Sequence, residues 1–434
     1  MNIAQGHTDA PGAPHALAHN LIAASFSNVD GSLAIGGVTV EDLATTYGTP
    51  CYVYDANLIR GAYRALRSAV EGFADVVYSI KANPNPEVCR LLVGEGAGLE
   101  IASDGERVTA LAAGCVPERI IFAGPGKGPR ELEAAIAAGI GEIHLETFEE
   151  IELVAGLARQ LERVQPVAIR VNPIASSQGG AMRMGGKPAA FGFDEEILAD
   201  VIAAVAQHGS LDLAGLHMFA GTQILDAATL RAQWRHALAL GARLGEMTRR
   251  PLRSLDLGGG LGVPYHEGDR ALDLAEIRRC TLELTEQKRA NRWLADAQIL
   301  LEPGRYLVAG AGVYLMAVRA VKLSRGERFV ICDGGMHHHL AASGNLGQVI
   351  KRDYPLIAAS RLDDRKVSQA TVVGPLCTPL DTVGRKTPLP TLTAGDLVAI
   401  LQSGAYGLTA SPVGFLSHDK PAEVLVDNGL HRAI

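Results

Sequence analysis

Apolar and polar positions along the chain follow two rhythms. Between about residues 76 and 305, short runs of strand-forming residues recur: "VVYSIKA", "GLEIAS", "RIIFAG", "EIHLET", "PVAIRVNP", "LAGLHMF", "SLDLGGG" and "QILLEPGR". Between them lie stretches rich in Ala, Leu, Glu and Arg with helical spacing, such as "PRELEAAIAAG" and "TFEEIELVAGLARQLER". Eight strand–helix units, each about 30 residues long, predict a (β/α)8 TIM-like barrel. An open doubly wound sheet is the alternative, but it usually has fewer strands. After residue 305 the texture changes. "YLVAGAGVYLMAVRAVKLSRGERFVICDGG", "QATVVGPLCTPLDTV", "AGDLVAILQSGAYG" and "PAEVLVDNG" read as short strands with Gly, Pro and Asp turns. They predict a second, mostly β domain. "GSLAIGGVTVEDLATTYGTPCYVYD" has the same character, so strands near the N-terminus are expected to complete it. The expected division is a flexible lead over 1–30, N-terminal strands over 31–55, a barrel over 56–305 and a C-terminal β-domain over 306–434.

A barrel collects its chemistry at the C-terminal ends of its strands. Polar residues stand at those ends here. Lys81 follows the first strand, and Glu100 and Ser103 lie on or after the second. Arg170 and Asn172 end the fifth and His217 the sixth. "GGGLG" ends the seventh, and Glu302 and Arg305 the eighth. Packing explains any one of them singly, but not so many on one rim.

Composition narrows the classes. The 434 residues are 47% hydrophobic and 20% charged, with a net charge of −7. That balance suits a soluble globular protein and argues against nucleic acid, which favours a basic face. No apolar run approaches the roughly 18 residues of a membrane span. The N-terminus lacks a basic region followed by an apolar one, so no secretion signal is expected. Six scattered cysteines without a CxxC pair point to reduced thiols and a cytoplasmic setting rather than to disulfides or a zinc cage.

Several motifs carry chemistry. Lys81 either snorkels to solvent or offers a reactive amine at a pocket mouth. In "SLDLGGGLGVPY", Gly258, Gly259 and Gly260 form either a tight turn or a phosphate cradle, a frequent use of the seventh barrel loop. Val263 and Pro264 break the dinucleotide fingerprint. Lys127 in "FAGPGKGPRE" lacks P-loop spacing and reads as a loop residue. Glu302 and Arg305 in "ILLEPGR" are a surface ion pair or, at a buried strand end, a holder for a protonated ring nitrogen and for a phosphate or carboxylate. His217 suits a core, ligand, acid–base or stacking role. No second histidine stands at metal-ligand spacing, and the adjacent His337, His338 and His339 favour structural or substrate-pocket roles, so no metal is expected. A lysine, a phosphate cradle, a carboxylate and a flat imidazole on one rim are together the parts that hold pyridoxal 5'-phosphate.

These residues resemble the fold-type III pyridoxal phosphate-dependent decarboxylases, the group of diaminopimelate, ornithine and arginine decarboxylases. The likeness covers roughly residues 35–430, through "YSIKANPNPEV", "HMFAGTQ", "LDLGGGLG", "LEPGRYLV", "GPLCTPLD" and "SGAYG…PAEVLV". The resemblance implies an alanine racemase-like fold, a barrel with a C-terminal β-domain. It implies that Lys81 is the aldimine lysine and that Glu100 and His217 lie at the cofactor, His217 stacked on its ring. Gly258, Gly259 and Gly260 would take the phosphate, with Tyr406 nearby. Glu302 would face the pyridine nitrogen, and Arg305 the phosphate or substrate. Cys377 would return a proton to the reacting carbon, from the neighbouring subunit of a homodimer with shared sites.

The sequence departs from that pattern at one place. In diaminopimelate and ornithine decarboxylases the residue after this cysteine is usually acidic and grips a distal amine; here it is Thr378, with Asp381 beyond. In "SSQGGAMRMGGKPAAFGFDEE", Arg183 and Lys187 either reach an anion or belong to a basic surface loop. Arg170, Arg183, Lys187, Thr378 and Asp381 are the expected substrate contacts. "DGGMHHHLAASGN" and "SPVGFLSHDKPAEV" are similar to a subgroup from natural-product, siderophore and exopolysaccharide clusters, some of which decarboxylate carrier-bound or conjugated amino acids. The expected function is therefore α-decarboxylation of an amino acid or an amino-acid conjugate. The alternatives are diaminopimelate decarboxylation for lysine biosynthesis, a racemase, or a non-catalytic cofactor carrier.

Overall fold

The structure, a computed structural model, describes residues 16–174, 182–183, 188–219, 221–346, 348 and 351–434. The chain divides into two compact units. One comprises Ile59–Val263 and Arg270–Val308; the other comprises the described part of Met1–Leu58 with Pro264–Asp269 and Ala309–Ile434.

The first unit is a closed barrel. Its strands are β1 (Asp75–Ser79), β2 (Gly98–Ile101), β3 (Ile120–Phe122), β4 (Glu142–Leu145), β5 (Gln165–Asn172), β6 (Leu211–Met218), β7 (Ser254–Asp256) and β8 (Gln298–Leu301). Each pairs in parallel with the next, and β8 returns to β1 through Leu300↔Asp75 and Leu301↔Val76. All eight strands foreseen from the apolar runs are present, and the open-sheet alternative falls because the ring closes. Strands buried on both sides read as continuous apolar runs, which is why they stood out.

The connections follow local chemistry. After β1 the chain makes a short 3₁₀ turn, Ile80–Ala82, with Ile80 and Ala82 buried and Lys81 exposed between them. Pro84 blocks its continuation. Asn85 then caps the helix Pro86–Gly94 by accepting from the Glu87 N–H at 3.0 Å. Ser103 does the same for Asp104–Ala112, accepting from Glu106 N. Its position on the rim is thereby explained by capping.

In the second unit Cys51–Asp55 lies between two strands, antiparallel to Gly312–Ser324 and parallel to Ala422–Asp427. An N-terminal strand is thus central to a sheet built mostly from the C-terminal part of the chain. Gly312–Ser324 also pairs with Glu327–Cys332 and with Leu397–Ile400. Leu33, Ile35, Val53, Val313, Ala399 and Val424 belong to the core packed on this sheet.

Residues 16–30 depart from the flexible lead expected over 1–30. Ala16–Ser25 is a helix and Ser27–Val29 a strand. Leu17 and Ala18 are buried, and Leu21 and Ile22 pack on the same core. Those four positions fall on one helical face, a pattern that the Gly/Pro/Ala content around it concealed.

Two glycines give opposite expectations. On β6, a Cβ at Gly215 would stand 1.8 Å from the Ser254 carbonyl oxygen of β7, so neighbouring backbone must move. In the helix Phe148–Gln160, a Cβ at Gly156 meets nothing within 4 Å. Gly215→Ala is expected to destabilise by about 1–3 kcal/mol or more, and Gly156→Ala to stabilise by about 0.5–1 kcal/mol. Urea denaturation of both variants checks this; a neutral Gly215→Ala would show that the two strands are not packed this closely.

Candidate active site

Lys81 stands at the C-terminal end of β1. Its Nζ donates to Glu100 Oε2 at 2.6 Å. The lysine side chain is 46% exposed while that of Glu100 is 2% exposed. The amine is thus anchored by a buried carboxylate, which Ser79 Oγ also contacts. Across the rim, Gly304 packs against this turn: a Cβ there would lie 3.0 Å from both Ser79 O and Ala82 Cβ. The segment carrying Glu302 and Arg305 is therefore seated on the base of Lys81.

Glu302 ends β8 and is buried. Its Oε2 lies 3.4 Å from His217 Nε2, and its Oε1 has no hydrogen-bond partner among the described residues. Burial alone would raise its pKa. The His217 and His144 imidazoles and the Lys81 ammonium outweigh that and hold the carboxyl well below the usual range. Asp256 on β7 moves the other way, raised by burial and by the charge of Glu302. One of these two neighbouring carboxyls is ionised and the other protonated. His217 on β6 is lowered to about 4, chiefly by burial, and is uncharged at neutral pH.

Gly258 and Gly260, just after β7, have φ of 66° and 96°. A Cβ at Gly259 would stand 2.4 Å from Glu302 O, and one at Gly260 2.8 Å from Gly221 O. Asp256 Oδ1 accepts from Gly258 N at 2.7 Å, tying this loop to the buried carboxyl pair. The loop is bare backbone beside the end of β8, a form suited to an anion.

Arg170 ends in a different setting from that expected of a substrate contact. Its Nη1 donates to Glu146 Oε1 at 2.7 Å, and Glu146 also accepts from the Gly124 and Gly192 N–H groups. The arginine is only 9% exposed, its charge already matched. Lys127, read as a loop residue, is a buried brace: its Nζ donates to Gly124 O and His144 O and pairs with Glu150 at 2.8 Å. Arg183 falls in a two-residue strand, Met182–Arg183, paired with Gly221–Thr222. Lys187 lies outside the described residues. Asn172 donates to Asp194 Oδ1 at 2.8 Å, which accounts for it structurally.

The second unit carries the remaining candidates. Cys377 is exposed and the other five thiols are buried; all six are free. Thr378 follows it. Asp381 is 1% exposed, and its carboxyl accepts from Met336 N at 2.6 Å and Leu376 N at 2.9 Å. It braces the "GPLC" turn. Tyr406 occupies a left-handed backbone position, φ 53°.

Residues 57–309 match the family "Pyridoxal-dependent decarboxylase, pyridoxal binding domain". The chain belongs to the pyridoxal-dependent decarboxylases. It is 40% identical to an L-glutamyl-[BtrI acyl-carrier protein] decarboxylase of Niallia circulans, over 91% of this chain and 92% of that one. It is 33% identical to a diaminopimelate decarboxylase of Aquifex aeolicus, over 92% of each. The solved diaminopimelate decarboxylase of M. jannaschii with L-lysine superposes with a TM-score of 0.87 at 26% identity, covering 94% of both chains. Pyridoxal phosphate is the family's cofactor, and this chain is a lyase of that class. The residues fit the group: an amine on a half-exposed lysine, a glycine loop for a phosphate, and a buried ionised carboxylate.

Sequence reading missed His144, on β4. Its Nδ1 lies 2.8 Å from His217 Nδ1 and its Nε2 3.0 Å from Glu142 Oε1. Spacing along the chain carries no hint of it, because the two histidines are 73 positions apart. His144, His217, Asp256 and Glu302 bring four potential ligand atoms within 4.8 Å of one another, so the absence of a metal-competent set inferred from spacing does not hold in space. Two of the four, His144 and His217, already share a hydrogen bond.

Burial of neutral imidazoles makes stability depend on pH. His217 is held at about 4 and the fully buried His339 at about 3, against an ordinary value near 6.5. Below pH 6.5 the unfolded chain gains protons that the folded chain excludes. Stability is therefore full above about pH 6.5 and falls as the pH drops towards 4. Urea midpoints across that range should decline, and His217→Asn should flatten the slope at pH 5 by about one proton. An unchanged slope would mean that His217 titrates normally.

Proposed function

We propose that this enzyme removes the α-carboxyl of an aminoacyl group borne by a carrier protein, a glutamyl group being the first candidate. The observation that carries this reading is Thr378. In the diaminopimelate and ornithine decarboxylases that the chain resembles, the residue after this cysteine is usually acidic and grips the distal ammonium. Here the position after Cys377 is Thr378, and the carboxyl of Asp381 is buried against backbone N–H groups. Thr378 Oγ1 accepts from Leu380 N at 3.3 Å. "CTPLD" thus offers a second ammonium no counter-charge. The 40% identity to a carrier-protein glutamyl decarboxylase supports the same substrate class.

Pyridoxal phosphate, when bound, would supply an electron sink for the pair that carbon dioxide leaves on the α-carbon. Lys81 would hold its aldehyde end, with Glu100 orienting the amine. Gly258, Gly259 and Gly260 would take its phosphate, with Tyr406 and Arg305 in the phosphate- or substrate-side roles that the resemblance implies. Glu302 would offer a negative charge to the pyridine nitrogen, and His217 would be the imidazole that stacks on the ring. Cys377 delivers a proton to the α-carbon and is reprotonated from water. Cys377 comes from the second subunit of a homodimer that shares its sites, in the cytoplasm. Arg170 and Glu146 form a net-neutral pair. No helix among the described residues is long and apolar enough to cross a membrane.

Carbon dioxide release tests the reading. The loaded enzyme should act on a glutamyl thioester of a carrier protein and be silent on free diaminopimelate, lysine, ornithine, arginine and glutamate. Turnover of diaminopimelate would favour the second reading, supported by the 33% relatives, and would overturn the role given to Thr378. Lys81→Ala should lower turnover by at least about a thousandfold and abolish the cofactor's visible band. A variant that kept either would refute the lysine's assignment.

A further inference from the structure

Beneath His217 runs a buried hydrogen-bonded line that the decarboxylase assignment leaves unused. Ser254 Oγ donates to Glu142 Oε2 at 2.6 Å. Glu142 Oε1 lies 3.0 Å from His144 Nε2. His144 Nδ1 lies 2.8 Å from His217 Nδ1, and His217 Nε2 lies 3.4 Å from Glu302 Oε2. Glu142 and His144 are two residues apart on β4 and share its inward face. His144 is fully buried and His217 is 2% exposed.

Donor counting fixes the protons. A carboxylate only accepts, so His144 Nε2 carries the hydrogen that points at Glu142. Two ring nitrogens 2.8 Å apart need one hydrogen between them. The far end of the line says whose it is: His217 Nε2 has no hydrogen-bond partner and stands 3.4 Å from Glu302. An uncharged His217 therefore carries its one hydrogen on Nδ1, which donates to His144 Nδ1. An N–H aimed at a carboxylate would close to about 2.7–2.9 Å.

We propose that His144, backed by Glu142 and Ser254, is a positioning residue that locks His217 as the uncharged Nδ1–H tautomer and so keeps its Nε2 from donating to Glu302. His217 faces His144 and Glu302 directly, with Asp256, protonated, beside Glu302 and Arg170 further off with its charge matched by Glu146. Without the lock, His217 can carry its hydrogen on Nε2 and donate to Glu302. The carboxylate would then be shared between an imidazole and the cofactor's ring nitrogen. The tautomer is independent of the proposed substrate; only its consequence rests on the cofactor roles given to His217 and Glu302.

The test is nitrogen-15 NMR of histidine-labelled protein, with and without pyridoxal phosphate, the His217 signals being assigned by their loss in His217→Asn. The expected result is a protonated Nδ1 and a bare Nε2 on His217, with the opposite on His144. A hydrogen on His217 Nε2, or stoichiometric zinc binding that moves both histidines' nitrogen signals, would overturn the proposal. His144→Phe should release the lock, bring the Nε2–H tautomer into view and lower kcat by about 10- to 100-fold with KM little changed. His144→Asn, whose side-chain oxygen still accepts from Nδ1–H, should retain the tautomer and most of the rate. A His144→Phe protein with wild-type tautomer and rate would also overturn it.

Discussion

The structure turns on one buried negative charge. Glu302 sits at the end of the last barrel strand, out of solvent, and an ionised carboxylate there carries a desolvation cost of several kcal/mol unless its surroundings answer it. The surroundings are arranged to do so. Asp256, the nearest carboxyl, stays protonated. His217 stays neutral. Lys81 supplies a cation from across the rim while its own amine is held by Glu100. Beyond the neighbouring Asp256 carboxyl, Glu302 Oε1 has no partner among the described residues, which leaves it able to accept from a protonated ring nitrogen.

The same carboxylate joins fold to chemistry. Gly259 has no room for a side chain because the Glu302 carbonyl lies against it, and the Glu302 N–H donates to Gly258 O at 2.9 Å. The glycine loop and the charge are therefore built as one piece from β7 and β8. The chain reaches Lys81 through the same contact zone, since Gly304 packs on Ser79 and Ala82. Barrel closure between β8 and β1 sets the distance between amine and carboxylate.

Much of this was legible in the sequence, because barrel strands are apolar runs and their ends are where polar residues interrupt them. Lys81, His217, Gly258 and Glu302 announce themselves that way. What lay hidden depends on contacts across the barrel. His144 looks like an ordinary strand residue until β4 and β6 bring two imidazoles together. Asp381 looks available until its backbone partners appear, one of them 45 positions away. Lys127 looked like a loop cation because its three partners are two carbonyls and a distant glutamate. The helix at Ala16–Ser25 was masked by composition, although its apolar spacing was regular.

The central claim is that a buried, ionised Glu302 keeps the cofactor's ring nitrogen protonated. Loading the enzyme with pyridoxal phosphate labelled with nitrogen-15 in the ring, and recording the ring-nitrogen signal in wild type and Glu302→Gln, addresses it directly. A protonated nitrogen in wild type that becomes unprotonated in Glu302→Gln is the predicted result. An unprotonated ring nitrogen in the wild-type enzyme would contradict the account.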